Sequence, residues 1–541
     1  MKHCFFLFLL FLMPGKSPAQ EILPDAGITS PLHKDNIGRI VFTAQPIPLA
    51  AMSAHDFLQT YELTNKNDLY FTAFMAHSLT NNIHQLGPGL SIDSLQKAGG
   101  YEFSLLLDQR VIYRNRILGA PLPAVRNNET VIHMPLIDNA HEGVWWTQFY
   151  WMRFLYNGGD SALTDGHHVL RLEIRAYLKD TVGGLIAAGD LLLNVNRHPV
   201  IDVTKVRLSP ILPYKGLIAS RELFQQDKIK ELKARVEAGE FKKINSIIVI
   251  KNGKILVEEY FNGESRDSLH DPRSVGKSFT STIFGMAIRD GYFKNELLPL
   301  KDFYQVSSFA NYSSEKEKVT IKDLLTMDAP FDGDDNDGDS PGNEENMYPT
   351  DDWVKFALGL PFQQDYKRHW HYFTAGVVVL GEVLNKTIPG GLEKYAEEKL
   401  FGPLNIRYQW QYTPQQVPNT AGGIRLSALD FARYGLLYKN GGRWHGMQLL
   451  PKEWVDKTFT KYEQIPGKQG EYYGYLFWNK QYHVGGKAYE TWYCTGNGGN
   501  KIFVFKDQPL VIVVTASAYG QPYAHPQVDR MMETYILPAV L

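Results

Sequence analysis

Cysteine is nearly absent from this 541-residue chain, which holds only Cys4 and Cys494. With Cys4 inside the expected leader, residues 1–19, the one remaining thiol cannot form an internal disulfide, and a cysteine-built zinc centre is excluded with it. Surplus charge is also missing: 56 Lys and Arg stand against 58 Asp and Glu, a formal net charge of −2. With no Lys/Arg-rich block, nothing recommends nucleic acid as a partner. Long apolar runs are missing too. The longest, "CFFLFLLFLM" (4–13), is too short to span a bilayer and argues against stable membrane insertion. It follows Lys2 and precedes Ser17 and Ala19, small residues at signal-peptidase spacing. Residues 1–19 therefore read as a cleaved secretory signal, and the protein is expected to be exported to the periplasm or the cell exterior. Cys4 falls inside that leader, which leaves Cys494 as the mature chain's one thiol.

What is present is ordinary in composition, 44% hydrophobic and 21% charged, as in soluble globular proteins. The length exceeds what one core usually supports, so at least two folded domains are expected. Residues 20–208 read as an all-β sandwich. "HHVLRLEIRAYL" (167–178) alternates with period two, Leu170, Leu172, Ile174, Ala176 and Leu178 on one face. "YEFSLLLDQRVIYRN" and "GLIAAGDLLLNV" are further strands. "WWTQFYWMRF" (145–154) reads either as core or as an aromatic platform for a glycan or cell-wall ligand. A proline-bearing linker is placed at 209–226 and a second domain at 227–541. There Asp227 is expected to cap a helix burying Ile229, Leu232 and Val236, closed by Gly239. "NSIIVIKNGKILVEEYF" predicts a hairpin around Asn252-Gly253. "KIFVF" and "LVIVVTAS" are late strands, so an α+β layout with an antiparallel sheet follows.

Ser-x-x-Lys occurs three times, at Ser94/Lys97, Ser274/Lys277 and Ser313/Lys316. Only Ser274 opens an amphipathic helix, striped by Val275, Phe279, Ile283 and Met286 and stopped at Gly291. A serine hydroxyl needs a base, and a lysine amine kept neutral by its surroundings can be one. The helix start would add N–H groups for an oxyanion. Periodicity alone leaves a plain helix cap equally open. "SLQK" lies in the β-rich domain, and "SSEKEK" reads as a charged surface loop. "DPRSVGKS" fails as a phosphate loop because Asp271 replaces its first glycine. "GDSPG" (338–342) fails as a nucleophile elbow because no strand precedes it. The same acidic loop misses EF-hand spacing and leaves open only a looser cation site. His369 and His371 read as surface or packing residues rather than cleft residues, without metal-ligand spacing.

Several stretches in order resemble the serine β-lactamase and penicillin-binding-protein superfamily, in its class C-like esterase and peptidase group, from about 240 to 541. They are "RSVGKSFTSTIFGMAIRDG", "TIKDLLTMDAPFD", "GGIRLSALDFARYGLLYKNGGRWHGMQLLPKEWV", "YYGYLFW" and "CTGNGGNKIFVF". The resemblance implies a β-lactamase/transpeptidase-like fold, an antiparallel sheet plus a helical subdomain. It makes Ser274 the acylated nucleophile, Lys277 its base and Tyr372 the proton relay. Thr374 closes the second motif, and Cys494, Thr495 and Gly496 are the third. The backbone N–H groups of Ser274 and Asn497 would hold the oxyanion. Two departures matter. Thr374 replaces an amide, and Cys494 replaces a cation or imidazole, which weakens recognition of a substrate carboxylate. The expectation is therefore a serine hydrolase acting on a small ester, amide or peptide, with no metal or organic cofactor required. Its rival is a catalytically lapsed domain that binds peptide or glycan. Turnover of a simple activated ester would separate the two.

Overall fold

In a computed structural model of the chain, described at residues 24–28, 30–118, 128–139, 147–367 and 369–541, two units are formed, Met1–Pro199 and Val200–Leu541. The expected leader lies outside the described residues.

The first unit has the two expected sheets. One orders Ile40–Thr43, Leu69–Phe74 and Val131–Ile137; the other orders Thr60–Leu63, Thr181–Val195, Gly166–Leu178, Gly99–Leu107 and Arg110–Leu118. Both contribute to one core, in which Phe42, Phe71, Phe103, Leu172, Ile174 and Leu191 meet. The period-two reading of 167–178 holds for Leu170, Leu172, Ile174 and Ala176, all buried. Opposite them, Arg171 and Arg175 pair with Glu173. Tyr177 departs from that polar face: it is buried under the Arg116 guanidinium. The sandwich also carries helices, at Leu79–His84, Ile92–Ala98 and 147–162. The last holds most of the aromatic run, and Tyr150, Trp151 and Phe154 point into the core. An exposed platform is thus overturned for these three rings. Trp145 and Trp146 lie outside the described residues.

The second unit is built on one eight-stranded antiparallel sheet. Its order is Lys254–Tyr260, Ile244–Lys251, Leu510–Ala516, Asn500–Phe505, Lys487–Gly496, Trp478–Val484, Tyr472–Tyr473 and Glu463–Gln464. The first two strands turn at Asn252 and Gly253 with φ of 48° and 72°, the left-handed pair a two-residue hairpin requires. Alternation divides the sheet between two layers. Ile248, Ile250, Cys494, Ile502 and Val513 face the layer that holds the helices Gly276–Arg289 and Ala428–Lys439, with Thr374–Thr387 packed on Gly276–Arg289. Ile247, Val249, Tyr493, Phe503 and Ile512 face Gln226–Glu237 and the C-terminal helical segment 524–540. The arrangement is the β-lactamase/transpeptidase-like one. Asp227 sits in the first helical turn beside Lys230 rather than at the cap, which is Gln225. Residues 209–226 run along this unit: Ser209 is held by Glu259, and Ile218 and Ser220 bond to Ile255.

The expectation for "SSEKEK" fails at Lys316, which is fully buried. Its ammonium donates to the carbonyls of Ala310, Asn311, Leu358 and Leu360 at 2.6–3.2 Å and lies 5.5 Å from the Phe331 ring. Four carbonyls from two distant segments thus converge on one cation. Lys316→Met should destabilise the protein by about 3 kcal/mol, because buried acceptors lose their donors. Urea unfolding of the full chain checks this, and an unchanged midpoint would refute the clamp.

Candidate active site

The approach to Ser274 is set by backbone packing. His270 N–H donates to the Leu426 carbonyl at 2.8 Å, and Tyr519 hydroxyl donates to the Asp271 carbonyl at 2.9 Å. Arg273 then adopts φ of 53°, a left-handed conformation costing a non-glycine residue about 1–2 kcal/mol. Asp271 accepts the Arg273 N–H, and the guanidinium lies 4.6 Å from the Tyr519 ring centroid. A short turn, Arg273–Val275, leads into the helix Gly276–Arg289. Ser274 therefore makes no helix cap. It is partly exposed at the start of a buried helix whose stripe Val275, Phe279, Ile283 and Met286 is fully packed.

Glycines make the close approaches possible. A Cβ on Gly496 would stand 1.9 Å from the Pro272 carbonyl oxygen and 3.0 Å from the Ser274 nitrogen. One on Gly422 would meet the Arg273 carbonyl at 2.9 Å. The third-motif strand and the 419–423 loop thus press on the turn that presents the serine.

Lys277 is 2% exposed, and its amine has two hydrogen-bond partners, Ser274 Oγ at 2.8 Å and the Ala421 carbonyl at 2.7 Å. It also lies 5.1 Å from the centroid of the Tyr372 ring. Burial raises the Tyr372 phenol above its ordinary range, while Lys277 and the nearby Ser274 hydroxyl oppose that rise. Serine, lysine and tyrosine form one connected unit. Trp370 and Trp478 stand 6.1 and 5.8 Å from the Tyr372 ring and give it an aromatic wall.

The remaining expected residues surround this unit. Thr374 is fully buried at the start of the helix Thr374–Thr387, with its N–H on Asp335 Oδ2 at 2.8 Å. Its hydroxyl finds no partner at ordinary geometry, yet lies close enough to that carboxylate to favour its ionised form. Gly496 abuts Ser274. Exposed Asn497 follows it, anchored by its Oδ1 to the Gly520 N–H at 2.8 Å. The Thr495 hydroxyl is buried without a partner. Cys494 points elsewhere, toward Ser278 under the helix, and burial pushes its thiol up to about 12. It is a neutral packing group rather than a thiolate.

Ser340 of "GDSPG" is buried and accepts the Asp334 N–H, so it ties a loop together. His371 is buried and stacked on Tyr366, with its Nδ1 on the His369 carbonyl. Among the described residues, no group of three or more His, Cys, Asp or Glu is arranged to hold a metal ion.

Two participants escaped the sequence reading. The Ala421 carbonyl is backbone and carries no residue signature. Asp335 is one of four aspartates in 332–337, and nothing in that run marks which one turns inward. Burial raises its carboxyl to about 6, against the pull of Thr374 and Lys277.

The family model described as Beta-lactamase matches residues 245–534. Among solved structures, the chain is similar to the octameric penicillin-binding protein homologue from Pyrococcus abyssi, at 20% identity over 56% of this chain and 75% of that one, with TM-score 0.43. It is similar to a D-stereospecific amidohydrolase from Streptomyces, at 16% identity over 53% and 93%, TM-score 0.42. A penicillin-binding protein homologue from Caulobacter crescentus is similar at 12% identity over 59% and 97%, TM-score 0.45. No curated protein matches.

Gly496→Ala should separate strand from nucleophile. The expected result is a loss of serine-probe labelling of at least about tenfold, with a lowered melting temperature, because a Cβ cannot occupy the site of a carbonyl oxygen. Wild-type labelling in that variant would refute the close-packing account.

Proposed function

The chain belongs to the β-lactamase family, and on that premise we propose that it is an exported serine hydrolase cleaving an uncharged ester or amide through a Ser274 acyl-enzyme. The observation that carries this reading is the 2.8 Å contact between Lys277 Nζ and Ser274 Oγ, with the Tyr372 ring centroid 5.1 Å from the same amine. Ser274 Oγ attacks the substrate carbonyl and gives its proton to the Lys277 amine. The N–H groups of Ser274 and Asn497 receive the oxyanion. Tyr372 passes a proton to the leaving oxygen or nitrogen, and the acyl group stays on Ser274. Water then attacks the acyl-enzyme by the reverse proton route and releases the acid.

Three further features support the choice of substrate and setting. No cation stands at position 494, where the thiol is neutral and turned inward. The aromatic wall of Trp370 and Trp478 beside Tyr372 suits an apolar group. The leader pattern in residues 1–19 supports export. Against a lapsed binding module stand the intact trio and the core position of Tyr150, Trp151 and Phe154.

The test is turnover of p-nitrophenyl butyrate, a neutral activated ester. Ser274→Ala should fall to background. Tyr372→Phe should lose about 10²–10⁴-fold in kcat, the usual worth of a positioned acid–base group. Lys277→Ala should lose at least as much. Wild-type turnover by Ser274→Ala would sink the proposal.

A further inference from the structure

The carboxylate of Asp335 stands beside the trio, yet the chemistry above gives it no part. Its Oδ2 accepts the Thr374 N–H and its Oδ1 accepts the Glu344 N–H, each at 2.8 Å. Its own N–H donates to the Tyr372 carbonyl, also at 2.8 Å. An acidic group at a helix start is commonly a cap, and the Thr374 bond alone would be one. The rest goes beyond a cap. Asp335 grips the backbone on both sides of Phe373, so Tyr372 and the helix that follows it are fixed by one loop residue. The titratable and charged groups facing the carboxylate are Lys277, Tyr372, Glu344 and Tyr348. Lys277 is the basic side chain among them, and it is buried. The residue that follows Tyr372 by two is Thr374, whose hydroxyl lacks a partner at ordinary geometry.

We propose that Asp335 is a positioning residue of the reaction, fixing Tyr372 against Ser274 and supplying the negative charge that balances the lysine ammonium. The inference rests on the hydrolase reading. In the acylation step the Ser274 O–H bond breaks and its proton bonds to Lys277 Nζ. The freed oxygen pair forms the bond to the substrate carbon, and the carbonyl π pair becomes the oxyanion. An ammonium and an oxyanion thus appear together, the ammonium on a side chain that is 2% exposed. A fixed carboxylate stabilises the ammonium there more than it would in bulk solvent. Asp335 itself exchanges no proton.

The consequence is a pH signature. Burial raises the Asp335 carboxyl to about 6, the like charge of Glu344 adds to the rise, and Thr374 and Lys277 oppose it. Below that pH the carboxylate is protonated and its balancing charge is lost. Acylation should therefore quicken as pH rises through about 6.

The experiment measures the rate of fluorophosphonate labelling of the full-length protein between pH 4 and 9, alongside melting temperature. Wild type should show a limb near 6. Asp335→Asn should label at least about tenfold more slowly at neutral pH and lack that limb, because the fixed charge facing the forming ammonium is removed. Asp335→Glu should restore the limb in part. Glu344→Gln removes only the neighbouring like charge and should move the limb to lower pH, so it decides the matter even if Asp335→Asn does not fold. A limb unmoved in Glu344→Gln overturns the inference. So does Asp335→Asn that loses thermal stability but keeps the wild-type profile, since Asp335 would then be a helix cap only. A wild type unlabelled at every pH removes the hydrolase reading, and this inference with it.

Discussion

One buried amine organises the C-terminal unit. Lys277 is 2% exposed, and an amine so placed costs several kcal/mol unless its hydrogen-bonding capacity is met. Its needs are met from far apart in the chain, by Ser274 one helical turn away and by the Ala421 carbonyl 144 residues on. The Tyr372 ring closes a third side. Bringing these segments together requires backbones to touch, which explains why Gly422 and Gly496 stand where a methyl group would collide with Pro272 or Arg273. It also explains the left-handed Arg273, since the turn must present Ser274 while the next residues enter a fully buried helix.

The surroundings follow from the same constraint. The sheet supplies the floor because its residues alternate between two helical layers, an alternation interrupted at the bulge between Ile255 and Val257. Cys494 belongs to that floor. A charged side chain there would have to reach past Ser278, whereas a thiol simply packs, and its burial keeps it protonated. The fixed charge at the start of Thr374–Thr387 is the Asp335 carboxylate, opposite in sign to the cation missing from the third motif. The site's polarity is thus set by a loop and a helix end more than by the strand.

Much of this was legible in the residues. Alternation foretold the strand Gly166–Leu178, because a half-buried strand leaves a period-two trace, and the short apolar run before Asn252-Gly253 foretold Ile244–Lys251. Asn252-Gly253 foretold its hairpin because few other pairs tolerate two positive φ angles. The long ordered resemblance brought Ser274, Lys277 and Tyr372 into one group, which the geometry joins. Other features left no trace. Lys316 sits in a run of charges that looks solvated, and its burial depends on four carbonyls that no residue type announces. Tyr150, Trp151 and Phe154 could equally have lined a surface, since aromatic content alone does not say which way rings point. Asp335 was hidden among its neighbours because the contacts that select it are to backbone N–H groups.

The central claim is that Ser274 is acylated during turnover. Protein quenched while hydrolysing p-nitrophenyl acetate, then weighed intact and mapped by peptide, tests it most directly. The account predicts a single acetyl group on Ser274, absent from Lys277→Ala quenched in the same way. An acetyl group on another residue, or turnover with no covalent intermediate on Ser274, would contradict it.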